Sequence, residues 1–143
     1  MIVWLTQILL AALGSLAFGI IYRVRNIHLW VEFLGGGAAW LVYLLVFRIS
    51  DNIVVGNMAA AAGATVFSVF MARIRRAPVV VFLLPCLIPL VPGRGLYYTM
   101  NYAVLADWSS MWKNMIETTG AAVGIALGVV ICSVFLGRVV FRK

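Results

Sequence analysis

The sequence predicts an all-α membrane protein with about five transmembrane helices, the fourth of them discontinuous. Three observations predict it. Hydrophobic residues make up 65 % of the 143 positions and charged residues 10 %, with a mean hydropathy of +1.11. Apolar runs of about twenty residues, the length of a membrane crossing, alternate with short basic clusters. All four prolines fall between positions 78 and 92. Soluble domains are roughly half apolar and about a quarter charged, and four acids with eleven Lys/Arg cannot coat a globule of this size. A soluble enzyme, a secreted disulfide scaffold and a disordered tail are excluded.

The first run, 2–22, carries no charge and ends at Arg23 and Arg25. It is not a cleavable signal peptide, because it lacks a basic leader and its apolar stretch is too long. The second run, 29–47, carries Trp30, Trp40 and Tyr43 as aromatic anchors, with Gly35, Gly36 and Gly37 expected to loosen it. Arg48 to Asn52 form a polar turn before a third run, 53–72, rich in small residues and closed by Arg73, Arg75 and Arg76. The fourth run is irregular. Residues 79–92 would make only about 21 Å of helix, short of a hydrocarbon core of about 30 Å. Pro85, Pro89 and Pro92, followed by Gly93 and Gly95, then interrupt it, so 79–106 is read as one broken crossing. The last run is 118–137, and the whole chain, 1–143, reads as a single transmembrane domain.

Charge sets the orientation. With five crossings, Arg23, Arg25, Arg73, Arg75, Arg76, Arg138, Arg142 and Lys143 share one side, Arg48 and Lys113 the other, and Arg94 lies within the fourth crossing. Basic residues concentrate in cytoplasmic loops, which places the N-terminus outside and the C-terminus in the cytoplasm. A re-entrant hairpin at 79–106 would reverse the tail and weaken the bias. The net charge of +7 is thereby accounted for without nucleic acid. Cys86 and Cys132 lie in apolar stretches with no metal-type spacing and read as small buried side chains.

The segment from Pro85 to Gly95, with three prolines and two glycines in eleven residues, is the strongest functional signal. Proline deletes a backbone donor and frees a carbonyl one turn back, and such backbone survives at membrane depth only against protein or a wet cavity. Transporters aim half-helix ends at substrates in this way. Pro89, Pro92, Gly93, Arg94, Tyr97, Asn101 and Asn57 are the candidate substrate-binding residues. Arg94 either faces a cavity, where it and a helix N-terminus would seat a carboxylate, or snorkels at the far interface. Glu32 has three readings: an ion pair with Arg94, a coupling proton site, or an interfacial acid seven residues past Arg25. His28 reads as a headgroup-level residue. Thr65 and Ser68 are candidate polar wall groups, and Tyr97, Tyr98 and Tyr102 follow the break at helical spacing. Small residues recur every four positions, at Ala11, Ser15 and Gly19, at Gly56, Ala60 and Ala64, and at Gly120, Gly124 and Gly128. They predict tight helix contacts, within the chain or with another. One histidine and four acids assemble no catalytic set, no metal site and no cofactor site.

Ala77, Pro78, Pro89, Pro92, Gly93 and Tyr97, together with Asn57 ahead of its alanine run, resemble the C-terminal half-domain of the threonine/serine exporter family, which also occurs as a separate small subunit. The resemblance implies a multi-pass exporter of the bacterial inner membrane for threonine, serine or a dicarboxylate such as succinate. It also implies a larger membrane subunit, similar to the family's N-terminal half, as partner. Arg94 stands where the resemblance leads one to expect a small or apolar residue. Two other readings of the same residues are a homo-oligomeric ion channel or multidrug-type transporter, and a non-transporting assembly subunit.

Overall fold

The computed structural model describes residues 2–23 and 26–140. Arg25, Arg142 and Lys143, which enter the charge count above, lie outside the described residues, as does the side chain of Arg138. Six helices follow in order: α1 (Ile2–Ile21), α2 (Asn26–Ser50), α3 (Ile53–Arg75), α4 (Val79–Leu87), α5 (Gly93–Val104) and α6 (Trp108–Val140), with a 3₁₀ turn at Ile88–Leu90 between α4 and α5. The structure is 91 % helix. Four helices are long and apolar enough to cross a membrane, or five spans result if α4 and α5, bent by 46°, count as one.

Helix ends follow local chemistry. Asn52 caps α3 by accepting from the amides of Val54 (2.9 Å) and Val55 (3.4 Å), satisfying donors the first turn leaves free. Arg76 closes the same helix in the left-handed region, φ 49°, and the Ala77 amide returns to the Ala72 carbonyl, a Schellman-type end. Asp107 caps α6 through the Ser110 amide at 3.2 Å. The Ser110 hydroxyl and amide hold the Asp107 carboxyl below the usual carboxylate range. The cap is therefore charged at neutral pH and lost only as acid protonates it.

Several expected boundaries move. α2 runs Asn26–Ser50 rather than 29–47, so Arg48 and Ser50 are helical and not in the turn; α3 runs on to Arg75 rather than 72, and α6 begins at Trp108 rather than 118. The run 108–117 is too polar to count as a span, yet it pairs with α5 and is held by the Asp107 cap, so it winds as helix. At 33 residues, α6 is about 50 Å long and exceeds the hydrocarbon core.

Small residues set the packing, and the contacts they make lie within the chain. α1 and α2 run antiparallel. A methyl on Gly36 would overlap Ser15 Oγ, and one on Gly37 would meet Ala12 Cβ at 3.3 Å. The triple glycine therefore does not loosen α2, which is continuous; it lets α1 seat against it. α6 lies on α3. Gly120 and Gly124 approach Val54, whereas Gly128 approaches Met58 and Ala61. Contact positions advance together along both helices, so α3 and α6 run parallel. α4 fills the space between α1, α2 and α3, with Phe82, Pro85 and Cys86 buried. The core is Ala39, Ala60, Ala61, Ala64, Cys86 and Leu90, with a second cluster of Val31, Ala72 and Phe82 nearer the arginines.

α5 differs from the rest. It buries no residue, and α6 is its principal neighbour. Outward-facing Leu9, Leu10, Leu13, Phe70, Ile74, Val130, Val134 and Phe135 are exposed, an apolar jacket that suits lipid and would be a liability in water.

Gly128→Val should drive its side chain into the Met58 carbonyl and cost about 1–3 kcal/mol or more. The same change at Gly137, where nothing lies within 4 Å, should cost little. Thermal unfolding of the detergent-solubilised protein compares the two.

Candidate functional site

α4 and α5 meet at a 46° bend across the proline–glycine segment. Pro89 sits in the 3₁₀ turn, Val91 is extended, and Pro92 precedes α5. Local bonds tie the segment: the Val91 amide to the Ile88 carbonyl (3.1 Å), the Gly93 amide to Val91 (2.8 Å) and the Leu96 amide to Pro92 (3.2 Å). α5 then returns along α6. A methyl at Gly95 would overlap Thr118 Oγ1, so the absence of a side chain there is what lets the two helices meet.

The break opens on a cavity of about 740 Å³ bounded by α2, α3, α5 and α6, at the end of the bundle away from Arg23, Arg75 and Arg76. Its wall includes Pro89, Pro92, Gly93, Arg94 and Asn57 from the sequence-derived candidates. Asn57 is 4 % exposed and its amide donates to the Ile53 carbonyl at 2.9 Å. The Arg94 guanidinium sits 5.4 Å from the Tyr98 ring centre, a cation–π distance. α6 adds Asn114, Glu117 and Thr118, and α2 adds Trp40 and Tyr43. The Trp40 indole nitrogen is buried with no hydrogen-bond partner among the described residues.

Tyr97 and Asn101 are not among the lining residues. At about 100° per residue, Arg94, Gly95, Tyr98 and Tyr102 share the arc of α5 turned toward α6. Tyr97 and Asn101 fall on the flank beyond Arg94, and Tyr97 is 66 % exposed. Helical spacing alone did not distinguish these two flanks, because which way α5 leans is decided by the Gly95–Thr118 approach. Glu117 was missed for a related reason: the sequence gives 108–117 the character of a loop, which hides an acid on the same wall as Arg94. Among the described residues no ion pair joins the two.

Glu32 lies elsewhere. It is 0 % exposed, because α1 closes over it where Gly19 lacks a side chain. One carboxyl oxygen accepts from Cys86 Sγ at 3.8 Å and the other has no partner; neither bonds Arg94. His28, one turn earlier, is also largely buried by neighbouring helices, its ring edge-on to Phe82 at 5.4 Å, at the end of the bundle that carries Arg23, Arg75 and Arg76. Thr65 and Ser68 bond back to the Ala61 and Ala64 carbonyls, which is a core role. Among the described residues, no three His, Cys, Asp or Glu side chains are grouped to hold a metal ion.

A wet cavity predicts reactivity. In a background with Cys86 and Cys132 replaced, Asn114→Cys should react with a water-soluble maleimide, and Ala60→Cys, 0 % exposed in the core, should not. Failure of Asn114→Cys to label, as for the buried control, would show that the cavity is closed to water.

Comparison with known proteins accords with this architecture. Neither curated proteins nor solved structures give a match. The profile of the family described as Threonine/Serine exporter, ThrE, matches residues 7–135, nearly the whole chain and every element of the cavity wall. With its apolar helices, this makes the chain a multi-pass membrane protein, and it belongs to the threonine/serine exporter family.

Proposed function

We propose that the chain exports a small zwitterionic hydroxy amino acid, threonine or serine, through the cavity at the α4–α5 break. One observation carries this reading: a single cavity is lined by one base, Arg94, and one acid, Glu117, with neutral polar groups between them. Arg94 would take the substrate carboxylate, helped by the free amides of the α5 N-terminus. Glu117 would take the ammonium. Asn57, Asn114 and Thr118 offer donors and acceptors for the hydroxyl. A dicarboxylate such as succinate fits less well, since Glu117 would repel the second carboxylate and the lining holds no second base.

The cavity is unfinished in one chain. Arg94 and Glu117 are both exposed and α5 packs mainly on α6, which supports a role as the small subunit of a two-component exporter. A larger subunit resembling the family's N-terminal half would then cover the open side. The parallel course of α3 and α6 supports a single broken crossing at 79–106 over a re-entrant hairpin, because a hairpin would send α6 back antiparallel to α3. With the charge bias, this orients the N-terminus outside and the C-terminus in the cytoplasm of a bacterial inner membrane. Glu32, an acid buried in the core with one free oxygen, is the candidate for a coupling proton.

Arg94→Gln and Glu117→Gln should each lower threonine efflux from loaded cells by about tenfold or more, the worth of a charge-assisted hydrogen bond. Wild-type efflux in both variants at equal abundance would remove the zwitterion site. For the orientation, a reporter fused after Lys143 should read cytoplasmic. Co-purification with the larger half checks the pairing.

A further inference from the structure

We propose that the basic end of the bundle binds the phosphate headgroup of an anionic phospholipid in a cleft between α1, α2, α3 and α4. The cleft measures about 430 Å³ and lies at the opposite end of the bundle from the substrate cavity. Arg23, at the end of α1, and Arg75 and Arg76, at the end of α3, supply three guanidinium groups to its wall, and the wall contains no carboxylate. His28 adds an imidazole. Three cations converging on one hollow without an acid among them match a group of concentrated negative charge. Arginine forks suit phosphate oxygens in particular.

The floor strengthens the match. α4 starts here, and its cap residue Pro78 makes no side-chain hydrogen bond. The Val81 amide turns back to the Pro78 carbonyl at 3.2 Å, which leaves the Val79 and Val80 amides without a partner within the helix, and the positive end of its dipole adds to the arginine field.

The remaining wall distinguishes a lipid from a free anion. Tyr22, Val80, Val81, Leu84 and Pro85 complete the cleft, and Val80 and Leu84 are 57 % and 46 % exposed. An apolar strip thus leads from the arginines out onto the lipid-facing surface of α4. A headgroup seated among the guanidiniums would lay its acyl chains along that strip, whereas inorganic phosphate would leave it uncovered. Basic pockets between membrane helices near the cytoplasmic face are suited to such headgroups.

The test uses the full chain purified in an uncharged maltoside detergent and titrated with phosphatidylglycerol, phosphatidylcholine or inorganic phosphate, with thermal unfolding as the readout. Phosphatidylglycerol should raise the unfolding temperature and phosphatidylcholine should not. Each arginine near an anionic headgroup contributes about a fivefold gain in affinity, so the double variant R23Q/R76Q should bind roughly twenty-five-fold more weakly. Arg48→Gln, which removes a charge at the other end, should bind as wild type. Native mass spectrometry of the wild-type protein needs no variant, and should retain phosphatidylglycerol in preference to phosphatidylcholine. Equal retention of the two lipids, or undiminished binding by R23Q/R76Q, would overturn the proposal. So would inorganic phosphate reproducing the full stabilisation, which would assign the cleft to a soluble anion.

Discussion

Main-chain polar groups must find partners inside the protein wherever water is absent, and that constraint organises this molecule. Unbroken helices meet it unaided, so α1, α2 and α3 can turn apolar side chains toward lipid. Pro85, Pro89 and Pro92 lack the amides that would otherwise serve the carbonyls one turn earlier. α4 can tolerate this because α1, α2 and α3 pack against the face that holds Phe82, Pro85 and Cys86, and because the segment after it borders a cavity.

Close approach between helices follows from the same economy of side chains. Lipid offers no hydrophobic drive for helices to associate, so packing rests on shape. Glycines at 36, 95, 124 and 128 admit a neighbouring helix where even a methyl would collide. These contacts fix the directions of the helices as well as their distances. Gly124 and Gly128 hold α6 parallel to α3, and Gly95 against Thr118 sets which face of α5 looks into the hollow.

Much of this was legible beforehand, and the rest was hidden for physical reasons. Apolar run lengths pointed to the long helices, and the proline cluster to the bend between α4 and α5, because both reflect backbone chemistry local to the segment. Pro89, Pro92, Gly93, Arg94 and Asn57 were accessible in the same way. Tyr97, Asn101 and Glu117 were not, since the lean of α5 and the early start of α6 arise from a contact between residues 23 apart. Glu32 looked interfacial when counted from Arg25. Its burial depends on Gly19 and Cys86, which belong to other helices and leave no mark near position 32.

The isolation of α5 has a mechanical consequence. Neither core cluster draws a side chain from it, and its main support is a single helix. Swinging this half-turned segment away from α2 and α3 would uncover no residue that the bundle interior relies on. One wall of the hollow is thus a leaf hung on α6, and the two core clusters behind it are complete without it.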